Sequence, residues 1–166
     1  MKIELKAVKV HHDMSEETLC FSANLYVDGK KICEISNRGC GGSHEYFMPV
    51  SVSKKLNDWC KANLPKWSMF DGEEMDTDFE LHISHLVSEY DQKKYLKSLI
   101  KRKIVVVDDR CKQSGESFQW KLPTKFSMHE AYIRIKKSNN KMKNSICLNL
   151  VEFDTAYQTF YKESQS

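Results

Sequence analysis

The dipeptide Asp28-Gly29 constrains this chain more than any other feature, because it stands between two stretches that alternate apolar with polar residues. Both residues tolerate positive φ, and a type I′ turn built on them matches the right-handed twist of the strands that it joins. Upstream, Leu19, Phe21, Ala23, Leu25 and Val27 fall on one face of an extended strand, and Cys20, Ser22, Asn24 and Tyr26 fall on the other. The first face is therefore core. Lys30 to Ser36 is the return strand, and residues 2–10 alternate well enough (Ile3, Leu5, Ala7 on one side) to supply a third. The N-terminal segment reads as an antiparallel meander.

The hairpin empties into Arg38-Gly39-Cys40-Gly41-Gly42-Ser43-His44. Three glycines in four positions cost backbone entropy and make sense only at a sharp turn or a close approach. Two readings stand side by side. In one, the amides of Gly39 to Ser43 form a concave nest for a phosphate or carboxylate, with Arg38 and His44 at the rim. In the other the loop is a connection from sheet to helix. The spacing matches neither the Walker pattern nor the dinucleotide fingerprint.

Downstream, the periodicity turns helical. Pro49 marks a start, Ser51 or Ser53 can cap, and Val52, Leu56, Trp59 and Cys60 recur at helical steps until Leu64-Pro65. A loop holding Trp67, Met69 and Phe70 near Asp71-Gly72 follows. Three large apolar groups in so short a loop must pack under it or meet a partner. A helix from Asp76 or Thr77 carries Phe79, Ile83, Leu86, Val87 and Tyr90 on one stripe, and Asp91 opens a second helical piece ending in basic residues. Ile104 to Val107 is an unbroken β-branched run, which predicts a central strand covered on both faces. Glu116 to Leu122 alternates as a strand. Ser127 with Glu130 spells a capping box for a helix bearing Met128, Tyr132 and Ile135. Ser145 to Leu150 is a last short strand, and Phe153, Tyr157 and Phe160 face inward on a terminal helix. The expectation is one α+β domain over residues 1–166, an antiparallel sheet (the meander plus the later strands) covered by amphipathic helices.

Candidate chemistry is sparse. His82 and His85 lie three apart on one helix, yet no third ligand is specified by spacing, so no metal or other cofactor is implied. Asp108-Asp109, with Glu116 and Lys121 beyond, loosely resembles the acidic centre of a metal-dependent nuclease, against the plainer reading of a solvated strand end. No catalytic set is forced together by the sequence. The basic runs Lys93–Lys103 and Lys136–Lys143 open a nucleic-acid reading, against that of a solvated helix face and a polar loop. The net charge of +3, with only Arg38, Arg102, Arg110 and Arg134 as arginines, excludes a mimic of DNA and does not favour a duplex reader. Six cysteines form no Cys-x-x-Cys pair, and the N-terminus has no signal-like apolar region, so reduced thiols and a cytoplasmic location without membrane attachment are expected.

Leu25-Tyr-Val-Asp-Gly-Lys30, Ser36-Asn-Arg-Gly-Cys-Gly-Gly42 and Leu148-Asn149 together resemble a group of small bacterial and phage proteins. In that group the loop looks like Asn-x-Gly-His-Gly-Gly, whereas Cys40 stands here at the histidine position. The resemblance implies a setting, phage or mobile DNA, rather than a reaction. The lack of a catalytic set, the compact size and the aromatic loop make the leading expectation a non-enzymatic, phage-type accessory protein that binds a bacterial host or defence protein and inhibits it, with Trp67, Met69 and Phe70 as contact residues. The rival is a nucleotide or nucleic-acid binder using Gly39–Ser43.

Overall fold

A computed structural model describes residues 1–68, 74–114, 116–139, 142 and 144–162. It is an α+β protein, 46% helix and 27% strand. The length read as one domain holds two compact units, Met1–Gln92 and Lys93–Ser166.

The first unit is built on a four-stranded antiparallel sheet in the order β1 (Ile3–Val10), β2 (Phe21–Val27), β3 (Lys30–Asn37), β4 (Glu45–Tyr46). Asp28 and Gly29 take φ of 48° and 81°, the turn that their sequence predicts. Phe21, Ala23 and Leu25 are buried as the alternation requires. One expected core residue is misplaced. Ala7 is exposed and Val8 is buried in its stead. Ala7 and Val8 together oppose a single residue of β2, and Ala7 carries φ 52°, so a bulge flips the pleat halfway along β1.

The buried face of this sheet packs on α1 (Val50–Asn63), through Leu56 and Cys60. No side chain caps α1: Pro49 occupies the cap position and both candidate serines lie inside the helix. Trp67–Ser68 (β5) and Glu74–Met75 (β6) form a two-stranded ribbon where a loop was expected. Met69, Phe70 and Asp71-Gly72 lie outside the described residues, and Trp67 is half-buried.

The two expected helical pieces are one continuous helix, α2 (Phe79–Arg102). Asp78 caps it, accepting from Leu81 N at 2.8 Å. Phe79, Ile83 and Val87 join the core of the first unit, while Leu96 and Leu99 join that of the second. Tyr90, placed on the inner stripe by periodicity, is exposed at the turn between those two sets.

In the second unit β7 (Lys103–Val107) is central, flanked by β8 (Phe118–Lys121) and β9 (Ile146–Cys147), in a sheet separate from the meander. Ile104 to Val107 are all buried. Val105 and Val107 face a core containing Leu96, Leu99, Leu148, Ala156 and Tyr157, while Ile104 and Val106 face one containing Ala131 and Cys147. A β-branched run suits this double burial, since either face must be apolar. Asp109–Ser114 (α3) follows β7. The capping box forms as expected at the start of α4 (Met128–Ser138): Glu130 N donates to Ser127 Oγ at 3.2 Å and Ser127 N to Glu130 Oε2 at 2.9 Å. The last expected strand is only β9, because Leu148–Leu150 winds into a 3₁₀ turn. Phe153–Tyr157 (α5) closes this core and continues as a π turn, Gln158–Lys162.

Candidate functional site

The glycine loop is fixed by the last residue of β3. Asn37 is buried, and its side chain serves four partners. Oδ1 accepts from Thr18 Oγ1 at 2.9 Å and from Gly39 N at 2.8 Å, and Nδ2 donates to the Gly42 carbonyl and to His44 Nδ1, each at 3.2 Å. Because Oδ1 takes two donors, the amide has one orientation. His44 Nδ1 is then an acceptor and the ring proton sits on Nε2, which faces the Glu80 carbonyl at 3.2 Å and Ser84 Oγ at 3.1 Å. A directional series of hydrogen bonds thus runs from Thr18 through the loop to α2, and the edge of Phe21 steadies the imidazole at 5.2 Å between ring centroids.

A concave set of amides does exist here, one segment away from the glycines. Glu16 N, Glu17 N and Thr18 N converge at 2.9, 2.9 and 3.2 Å on one acceptor, the carbonyl oxygen of Gly39. The protein's own backbone fills that nest. Of the loop's amides, Gly39 N is committed to Asn37 and Gly41 N to Thr18 Oγ1 at 3.3 Å. Gly39, Gly41 and Gly42 all hold positive φ. A Cβ on Gly39 would collide with the Met14 carbonyl oxygen, so this glycine answers a close approach of backbone within the chain, whereas a Cβ on Gly41 would meet the tip of the exposed Glu17 side chain, which can swing aside.

Beside the loop lies a cavity of about 630 Å³, lined by Gly42, Ser43 and His44 on one side and by α2 on the other. Leu19, Phe21, Leu81 and Val87 give it apolar walls, and Asp78 and Glu80 bring carboxylates. Glu80 Oε2 accepts from His44 N at 2.8 Å. Among the described residues no lysine or arginine lines it. Arg38, expected at the rim, is exposed and pairs with Glu45 at 2.8 Å. An entering phosphate would meet two carboxylates and no described cation, so charge opposes an anion here. Of the seven loop residues, the fold brings Gly42, Ser43 and His44 to the cavity. It leaves Gly39 buried and Cys40 exposed, with Sγ 3.9 Å from the Arg38 carbonyl.

The remaining candidates are dispersed. His85 is exposed and lines the cavity, whereas His82 is partly buried, and burial with the neighbouring His85 lowers its pKa. Among the described residues no three His, Cys, Asp or Glu side chains assemble as a metal set. The cysteines are all free thiols: Cys40 is exposed and the other five are buried. Burial pushes the Cys60 thiol up to about 11 and raises Cys33, Cys111 and Cys147 as well, so these are packing groups rather than nucleophiles.

Asp108 is buried and spoken for. Its Oδ2 accepts from Arg110 at 2.5 and 3.1 Å, and its Oδ1 accepts from Arg110 N at 2.9 Å. The Arg110 guanidinium therefore holds the carboxyl below its ordinary 3.8. A folded-state value below the unfolded one means stability that is fully present above about pH 4 and lost as the pH falls through the folded value. Asp108→Asn is accordingly expected to cost roughly 1–3 kcal/mol at pH 7. The gap to wild type should narrow below about pH 3. Urea titrations at pH 7 and pH 3 measure this, and an undiminished gap in acid would assign the effect to packing instead.

Part of the Lys93–Lys103 run folds onto the second unit's own aromatics, with Lys93 over Tyr157 at 5.2 Å and Lys97 over Phe153 at 4.7 Å. Of the second basic run, residues 140, 141 and 143 lie outside the described residues. No described helix is long and apolar enough to cross a membrane.

Phe47, which no sequence pattern singled out as a site residue, is the most exposed large apolar side chain among the described residues, at 97%, with Val50 three residues on at 83%. A signal was present: Tyr46 packs inward on β4, its ring edge-on to Phe79 at 5.7 Å, and strand alternation then turns Phe47 out. No family model, curated protein or solved structure matches the chain.

Proposed function

We propose that this is a non-enzymatic binding protein that docks on a partner protein through the segment Phe47–Val50. The observation that carries the reading is Phe47 itself. A phenylalanine left wholly in water forgoes roughly 1.5–3 kcal/mol that burial would return. The ring is also presented on a stiff support, between a residue paired in β4 and Pro49 at the head of α1. A rigidly held aromatic anchor with a second apolar group beside it fits an apolar cleft on another protein. Following the resemblance of Leu25–Lys30 and Ser36–Gly42, we take that partner to be a bacterial host or defence protein and this chain to be a phage-type inhibitor of it. The likeness alone supports that setting.

Affinity capture from bacterial lysate tests the reading. Wild type should retain one stoichiometric partner that Phe47→Asp loses, with an unchanged melting temperature. Met75→Asp, which alters another exposed apolar residue of the same unit, should keep it. Retention by Phe47→Asp would overturn the reading. So would concentration-dependent self-association abolished by that variant, which would make the segment a contact between copies.

A further inference from the structure

The cavity beside the glycine loop opposes an anion, and the chemistry of its lining defines the ligand that it favours. All of that lining belongs to Met1–Gln92, which holds 10 Lys and Arg against 16 Asp and Glu, a formal −6. The field of this unit therefore draws cations. About 630 Å³ is the size of sites that take small organic molecules between apolar walls and a few polar groups.

The two carboxylates stand at one end. Asp78 and Glu80 flank the start of α2, and the lining then follows that helix through Leu81 and Ser84 to Ser88, roughly 15 Å from Asp78 at about 1.5 Å per residue. The helix dipole rewards acids in a first turn, so acids there need no ligand to explain them. What the dipole leaves unexplained is their bonding. Each performs its structural task with one oxygen: Asp78 Oδ1 caps α2 by accepting from Leu81 N, and Glu80 Oε2 anchors the loop by accepting from His44 N, both at 2.8 Å. A neutral Asn or Gln would serve those tasks as well. No donor among the described residues reaches Asp78 Oδ2 or Glu80 Oε1, no described Lys or Arg pairs with either group, and neither oxygen is sealed from solvent. Two charges set against apolar walls, with no cation of the chain's own beside them, are answered by a cation from outside.

We propose that this cavity binds a small organic cation. Its ammonium group sits at the Asp78–Glu80 end, and its apolar body lies along α2 toward Ser88, against Leu19, Phe21 and Leu81. A bare divalent ion is disfavoured, because among the described residues no third His, Cys, Asp or Glu joins the two carboxylates as a metal set, and such an ion would leave the apolar walls in water. Phe47 lies outside the lining, so this ligand and the docking proposed through Phe47–Val50 stand or fall separately.

Three ligands of one shape test this by titration calorimetry on the full chain at pH 7: cationic tryptamine, neutral tryptophol and anionic indole-3-acetate. Tryptamine should bind roughly ten- to hundredfold more tightly than tryptophol, the worth of a hydrogen bond to a charged group, and indole-3-acetate more weakly than either. Amide chemical-shift changes on adding tryptamine should centre on Gly42–His44 and Leu81–Ser88. The double variant Asp78→Asn, Glu80→Gln should erase the preference for tryptamine over tryptophol. Asn caps a helix as well as Asp does, and Gln keeps a carbonyl oxygen for His44 N, so this variant should melt within a few degrees of wild type. Glu34→Gln, which removes a negative charge from the same unit outside the lining, should alter tryptamine affinity by less than about twofold. Tryptamine bound no more tightly than tryptophol would overturn the proposal, as would shifts confined to other residues or a preference that survives the double variant. Binding of the peptide acetyl-Gly-Lys-Gly-amide as tightly as tryptamine would also overturn it, and would assign the acidic end to a lysine of a partner protein.

Discussion

Gly39→Ala is expected to be the most damaging single-methyl change in this protein, costing on the order of 4 kcal/mol or more, a large part of a domain's usual stability. Two effects add. At φ 89° a Cβ carries roughly 1–2 kcal/mol of left-handed strain. The added methyl would also drive into the Met14 carbonyl oxygen and lie 2.9 Å from Cys20 Cβ, both parts of the chain's own framework rather than flexible side-chain tips. Moving Gly39 away would pull its carbonyl off three amides and its N–H off Asn37. Gly42→Ala is the matched control. It shares the left-handed φ, at 85°, but a Cβ there meets nothing within 4 Å. Only the strain of about 1 kcal/mol should appear. Urea denaturation followed by tryptophan fluorescence compares them. Equal losses would mean that the approach to Met14 holds nothing in place.

The second large effect is expected at Asn149, where Asn149→Ala should cost roughly 2–4 kcal/mol and lower the melting midpoint by roughly 5–15 °C. β9 pairs with β7 only at Val106 and Val107, because the chain then lifts away into the 3₁₀ turn. The Asn149 side-chain amide takes over the ladder at that point. Its Oδ1 accepts from Val105 N at 2.8 Å, and its Nδ2 donates to the Lys103 carbonyl at 2.9 Å and to the Ile100 carbonyl at 2.7 Å. The last of these is a terminal carbonyl of α2 without an intrahelical donor. Truncation strands all three. Asn149→Asp should be at least as harmful at pH 7, since it keeps the acceptor but sets a carboxylate against two carbonyls. It should recover partly as acid protonates the new group, whose pKa that environment raises. A loss under about 1 kcal/mol for Asn149→Ala would show that water satisfies these groups instead.

Features that local chemistry decides were legible in advance. Asp28-Gly29 determined a turn but the register of its first two pairs alone, since a bulge at Ile32 shifts the rest of the hairpin; the run Ile104–Val107 announced burial on both sides, and Ser127 with Glu130 marked a helix start. The bulge at Ala7 was not legible, because alanine is not a residue whose presence signals positive φ and only the pairing with β2 demands it. Nor was the continuity of α2, since Asp91 looks like a cap until the turns on either side each find a core. The glycine loop shows the same limit. Its glycines declared a close approach, but what approaches Gly39, the Met14 carbonyl, comes from a segment over twenty residues upstream. The acidic character of the cavity was equally invisible, because Asp78 and Glu80 read as ordinary first-turn residues until the loop settles beside them.

The seam between the two units falls inside a helix, after Gln92, with no linker on either side. A chain severed at that seam would end or begin on raw turns, stripped of partners for the amides and carbonyls that the uncut helix keeps to itself. Neither half is an excisable module in the usual sense, and insertions or reporters belong elsewhere in the gene.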